Sequence, residues 1–194
     1  MRNIYQNAED VLVWLDAWDN DKTKEAMAIS LIQDILDGKT FKERSRAGRA
    51  NRQLSYDRVQ KMVNNESLLE KWCALAELYS HAWFDRLWVE QEYTVALKST
   101  AVLKHHTTSM FDVADAASTV KVFSLMGGQI TNSKNEEPVK RTFHLSTKIM
   151  FRQMKRLSYD RQTQETELST VDVLESCRRL LCFDPRDRIF APIG

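Results

Sequence analysis

The segment Trp83-Phe84-Asp85-Arg86-Leu87-Trp88-Val89-Glu90-Gln91-Glu92 sets large aromatic rings directly beside opposite charges. Rings drive burial and charges resist it, so such a stretch folds stably only where the charges find partners. As a helix it places Trp83, Phe84, Leu87, Trp88 and Val95 on one face and Arg86 beside Glu90 on another. As a strand it gathers Phe84, Arg86, Trp88 and Glu90 on a single face. Leu, Glu and Gln are good helix formers and no turn signal interrupts the run to Leu97, which favours the helix. In both geometries Arg86, Glu90, Gln91 and Glu92 crowd against ring surfaces. A half-buried Arg86 then requires a carboxylate, from its own segment or from Asp184 or Asp187 near the end of the chain. The reading of this network is structural before it is catalytic, because ion-pair networks perturb carboxylates without doing chemistry.

The rest of the chain points to helices around a small sheet. Only five glycines and three prolines occur in 194 residues, too few for the many tight turns of an all-β sandwich. That length suits one domain. Val11-Leu12-Val13-Trp14-Leu15 is a continuous apolar run bounded by acids, as expected of a strand covered on both faces. Ile4, Tyr5 and Ala8 recur at helical spacing just before it. From Thr23, the residues Ala28, Leu31, Ile32, Ile35 and Leu36 predict a helix closed by Gly38. Ser67 and Glu70 read as a capping box for a helix whose stripe is Trp72, Leu75, Ala76 and Tyr79. Ala101-Val102-Leu103 predicts a second strand. Ser109 then caps a helix through Val113, Ala116, Ala117, Val120 and Phe123 that ends at Gly127-Gly128. Asn132 to Pro138 reads as an exposed loop, Lys148 to Arg161 as a basic helix, and Ser169 with Asp172 as the start of a last helix.

Residues 39–61 carry Lys42, Arg44, Arg46, Arg49, Arg52 and Arg58 against Glu43 and Asp57, with few large apolar side chains. The expectation is a solvated basic loop and not an RNA or phospholipid contact, since aromatics are barely interleaved. A net charge of +1 points to neither nucleic acid nor an anionic membrane, and no apolar run approaches the roughly 18 residues of a membrane span. Cys73, Cys177 and Cys182 form no C-x-x-C pair and leave an odd thiol, which fits a reducing, intracellular compartment. The histidines His81, His105, His106 and His144 are scattered, and the adjacent pair reads as a surface feature. No zinc-protease, P-loop or nucleophile-elbow motif is present, so no cofactor and no metal is expected. Asp184-Pro185-Arg186-Asp187 has the chemistry of a capped turn opening a helix.

Three blocks stand in order: Met1, Ile4, Tyr5 and Ala8 leading into Val11, Val13, Trp14 and Leu15; then Trp83, Phe84, Arg86, Trp88, Val89, Gln91 and Glu92; then Asp184, Pro185, Arg186, Asp187, Phe190 and Ala191. Together they resemble the heterokaryon incompatibility (HET) domain of filamentous fungi. The resemblance implies an α/β fold, predominantly helical with a small sheet, and a cytoplasmic module of nonself recognition that triggers programmed cell death. Protein partners are implied, either other incompatibility factors or a second copy. The family's earlier blocks, "A-L-S-Y-x-W-G" and "W-I-D-x-x-C-I-N-Q", do not occur, which implies the middle and C-terminal part of such a domain and leaves a truncated, inactive fragment as one reading. Asp16 stands where the family has Gly, and Pro192 interrupts its apolar ending. The family's distant likeness to Toll/interleukin-receptor domains implies an alternative, NAD hydrolysis by a glutamate, for which Glu90 and Glu92 are the candidates.

Overall fold

A computed structural model describes residues 2–15, 18, 21–37, 48–86, 89–161 and 184. The fold is α/β and predominantly helical, as expected. Helix α1 (Arg2–Gln6) leads into strand β1 (Val11–Trp14), which is followed by α2 (Lys22–Leu36), α3 (Gly48–Val63), α4 (Leu69–Tyr79) and α5 (Val89–Thr94). Strands β2 (Ser99–Val102) and β3 (Thr107–Ser109) come next, then the long helices α6 (Met110–Leu125) and α7 (Ser133–Arg161).

The sheet has the order β1-β2-β3, with β1 parallel to β2 in the register Val11 to Ser99 and β2 antiparallel to β3 in the register Ala101 to Thr108. Val11 N–H donates to the Lys98 carbonyl at 3.0 Å and Leu15 N–H to that of Val102 at 2.9 Å. Val11, Val13 and Leu15 are buried, but Leu12 is 69% and Trp14 61% exposed. The expectation that both faces of β1 are covered is therefore wrong among the described residues. Alternate residues of a strand point to opposite faces, and the residues of the inner face, Val11, Val13 and Leu15, join the hydrophobic core. A continuous apolar run does not distinguish one covered face from two.

Asp21 caps α2, its Oδ1 accepting from Thr23 N–H at 3.0 Å and Lys24 N–H at 3.1 Å. The predicted stripe, Ala28 through Leu36, is buried as expected. The closing left-handed residue is Asp37 (φ 61°), one position before the predicted Gly38, which lies outside the described residues. Acidic and amide side chains tolerate that conformation better than bulkier ones. Arg58 secures it, donating to the Ile35 carbonyl at 3.3 Å and pairing with Asp37 at 2.8 Å.

Arg58 lies on α3, and this corrects the basic-loop expectation over residues 48–61; residues 39–47 lie outside the described set. Arginine and glutamine are good helix formers, and the three apolar residues Val59, Met62 and Val63 suffice to dock the helix. The capping box at Ser67 is also replaced. Asn65 Oδ1 accepts from both the Ser67 N–H (3.0 Å) and the Ser67 hydroxyl (2.8 Å), and a 3-10 turn, Glu66–Leu68, feeds into α4. The stripe Trp72, Leu75, Ala76 and Tyr79 is buried as predicted.

Helix α6 follows its predicted course. The Ser109 hydroxyl accepts from Phe111 N–H at 3.2 Å. Gly127 (φ 81°) ends the helix, with Gly127 N–H donating to the Ser124 carbonyl at 3.3 Å and Gly128 N–H to that of Phe123 at 3.1 Å. This paired closure consumes two carbonyls the helix leaves free. A Cβ on Gly128 would lie 2.2 Å from the Phe123 ring, which packs between Tyr56 and Phe143. Gly128→Ala is expected to cost about 1–3 kcal/mol through overpacking, read as a lower denaturation midpoint at unchanged slope. An unchanged midpoint would show that the ring moves freely.

The predicted loop Asn132–Pro138 is instead the start of α7. Asn132 Oδ1 accepts from Lys134 N–H at 3.0 Å, and Pro138 sits inside the helix. Pro138 is the sixth residue of this helix, just past the turn whose N–H groups lack partners, so it forfeits the bond to the Lys134 carbonyl. The predicted basic helix up to Arg161 is its continuation. The helix expected from Ser169 lies outside the described residues.

Candidate functional site

The Trp83 segment is not one helix. Ala82–Asp85 forms a 3-10 turn capped by His81, whose Nδ1 accepts from Trp83 N–H at 3.1 Å. Arg86 is extended (φ −78°, ψ 136°), and α5 begins at Val89. The break lets Trp83 and Phe84 both bury, their rings edge-on at 5.2 Å, while Arg86 turns outward. Its side chain is exposed, which corrects the half-buried expectation. Asp85, beside it, pairs with Lys148 of α7 at 2.6 Å.

Helix α1 packs against α5, and this brings the first apolar block of the chain onto the aromatic–charge segment. The Tyr5 hydroxyl is hydrogen-bonded to Glu92, with Arg86 within electrostatic reach. Partial burial pushes the Tyr5 hydroxyl above its ordinary ionisation range, the Glu92 charge pushes it further, and the Arg86 charge opposes both. A phenol, a carboxylate and a guanidinium thus meet at the surface. Such a trio can grip a polar ligand or a partner's charged side chain.

Of the other predicted site residues, Glu90 and Gln91 lie on α5, with side chains outside the described set. Trp88, Arg186 and Asp187 lie outside it altogether, and Asp184 occupies a half-buried bend. Among the described residues, no group of three or more His, Cys, Asp or Glu could hold a metal ion, and no helix is long and apolar enough to cross a membrane. The Cys73 thiol is pushed up by partial burial and by the charges of Glu137, Glu77 and Glu70, which works against the nucleophilic thiolate.

Residues 1–92 match the family model described as Heterokaryon incompatibility protein (HET). Over these residues the chain is similar to the HET family. Tyr5 lies near the start of the matched range and Glu92 is its final residue, so the fold brings the two ends of that range together. The Asp184–Ala191 block lies beyond the HET match. No curated protein and no solved structure matches the chain.

A second polar constellation was not foreseen. Glu25, in the first turn of α2, is 1% exposed and accepts from His105 N–H at 2.9 Å and from His106 Nδ1 at 3.0 Å. An acid in the first turn of a helix reads as a surface residue favoured by the helix dipole. Only the hairpin between β2 and β3, folded over it, makes it a core residue. The His105-His106 pair was read as a surface feature; it sits there only in part, because its inner side secures Glu25.

Two tyrosines of the fold carry a pH signature. Tyr79 is fully buried and donates to the Val113 carbonyl at 3.1 Å, and burial drives its ionisation far upward. Tyr5 shifts in the same direction. Neutral phenols favour the folded state, so their contribution is intact below the unfolded value of 10.0 and is lost as pH rises past it. Denaturant titrations at about pH 8 and about pH 11 should show a clear fall in midpoint. Tyr79→Phe should flatten much of it and Tyr5→Phe a smaller part. A drop of equal size in both variants would assign it to other groups.

Proposed function

We propose that this chain acts in the cytoplasm as a fungal heterokaryon incompatibility module, in which nonself recognition is signalled onward to programmed cell death. The HET sequence of residues 1–92 supports this reading, and one observation carries it to particular residues: the Tyr5–Glu92 contact, with Arg86 beside it, joins the two ends of that range at the surface. A surface cluster built from a family's own sequence blocks is where a protein partner would engage, whether another incompatibility factor or a second copy. Arg186 and Asp187 of the closing block are assigned to the same network, together with Trp88 and Gln91. Conditional expression in a filamentous fungus tests the proposal. Growth arrest with uptake of a viability dye is expected for the native chain, and its loss for Glu92→Ala at matched abundance. No response from the native chain would overturn it.

A second reading is favoured by the same carboxylate. Glu92 is held by the Tyr5 phenol, a hydrogen bond that would orient a carboxylate acting on a nicotinamide nucleotide. Glu90, on the same short helix, is the other candidate. Purified protein incubated with NAD decides it: turnover abolished by Glu92→Gln supports a hydrolase, and no nicotinamide release at high protein concentration rejects it.

A further inference from the structure

Lys148, beyond the end of the HET match at residue 92, reaches back to the candidate site. Its Nζ lies 2.6 Å from Asp85 Oδ1, across 63 residues of chain. Asp85 closes the 3-10 turn Ala82–Asp85, and the next residue is Arg86. An ordinary surface salt bridge contributes little, because two long side chains must be immobilised to make it. Lys148 differs, since packing of the long helix α7 fixes its place. Ile149, the following residue, is buried, as are Val139, Phe143 and Ser146. Earlier on the helix, Asn135 is fully buried, and its Nδ2 donates to the carbonyls of Val63 at 3.0 Å and Asn65 at 2.8 Å. The Lys148 side chain is itself only 23% exposed. A lysine held in this way loses little further freedom on pairing, and a contact between charged donor and acceptor is stronger than a neutral one.

The pair also decides where a charge goes. Among the described residues, Lys148 is the one cation paired with Asp85. The next cation along the chain is Arg86. Without Lys148, the half-exposed Asp85 carboxylate would turn to that guanidinium, because an acid is stabilised by the nearest opposite charge. Arg86 would then be drawn away from Tyr5 and Glu92. Lys148 therefore separates two opposite charges that stand next to each other in the sequence.

We propose that Lys148 is a positioning residue for the Tyr5–Arg86–Glu92 cluster: by holding Asp85 it keeps that carboxylate off Arg86, and the guanidinium stays on the side of Tyr5 and Glu92. This role rests on the cluster being the surface that a partner engages. Residues 1–92 then supply the cluster, and α7 sets its charges.

The test follows the NMR signals of the Arg86 guanidinium and the Tyr5 ring in the full chain, beside the growth response in a filamentous fungus at matched abundance. Lys148→Met removes the charge and keeps an apolar stem. It should shift both signals and abolish the response. Lys148→Arg restores a cation and should leave signals and response near native. Adding Asp85→Asn to Lys148→Met removes the competing carboxylate and should bring both back, which a merely structural role of α7 does not produce. Asp85→Asn alone should leave the two signals near native, and a large shift there would overturn the proposal even where Lys148→Met does not fold. Unchanged signals in Lys148→Met would overturn it, and so would a double variant that stays as shifted as Lys148→Met. A full growth response from Lys148→Met despite shifted signals would overturn it too, by showing signalling to be indifferent to where Arg86 lies. Should the native chain elicit no growth response, the proposed function falls, and the two signals alone decide the role of Lys148.

Discussion

Glu25→Ala should lower the unfolding free energy by about 3 kcal/mol, the range for removing one partner from a buried charged contact. Glu25 is 1% exposed and holds the His105 N–H and the His106 ring together from the first turn of α2. Alanine would orphan both and leave a void where the carboxylate was. For a chain of this length the corresponding loss of melting temperature is roughly 6 to 12 °C. Glu25→Gln retains an oxygen for the His105 amide and should cost clearly less. His106→Ala, which leaves the carboxylate with one donor, should fall between the two. A loss under about 1 kcal/mol for the alanine variant would mean that water replaces the hairpin's contacts and that the hairpin is not fastened through Glu25.

Trp72→Ala should be at least as damaging, at about 3–5 kcal/mol. The ring is fully buried on α4, which packs against both α2 and α7, and its indole N–H donates to the Met62 carbonyl at 3.3 Å. Truncation removes the apolar ring that joins those layers, opens a cavity and leaves that carbonyl with the Asn65 N–H, at 3.2 Å, as its remaining donor. Trp72→Phe isolates the pieces: most of the ring stays and the donor is lost, for about 1–2 kcal/mol. Equal midpoints for the two variants would show that packing at this position is worth little and the hydrogen bond nearly everything.

Glu25 and Trp72 also mark how far the sequence could be read. The Trp72 stripe, the α2 stripe and the Ser109 cap follow from spacing along one element. So does the Gly127-Gly128 closure of α6. Periodicity reports which face of a helix is apolar wherever the partner comes from, and these expectations met the structure unchanged. The misread elements share a different cause. Helix α3 was taken for a loop because its charges were weighed above its few apolar residues, Val59, Met62 and Val63, and docking onto the core settled the matter. The Trp83 segment was read as one helix from residue propensities, whereas burying two adjacent rings needed a 3-10 turn and an extended Arg86. Strand β3, short and polar, carried no signal at all apart from its pairing with β2.

The candidate site divides the same way. Tyr5, Arg86 and Glu92 stand out in the sequence as members of the HET blocks. That the Tyr5 hydroxyl meets Glu92 is a property of α1 lying on α5, elements separated by most of the HET range.

What the sequence determined by itself was local: which stretches coil, where the caps fall, which side chains seek a dry surface, and which family the first 92 residues resemble. Tertiary structure alone decided which carboxylates became structural, which face of β1 stayed open, and which distant blocks touched. Helical periodicity and capping act over a few residues, whereas the burial of a charge or the covering of a strand depends on what arrives from elsewhere, as the hairpin at His105 reaches Glu25 across 80 residues of chain.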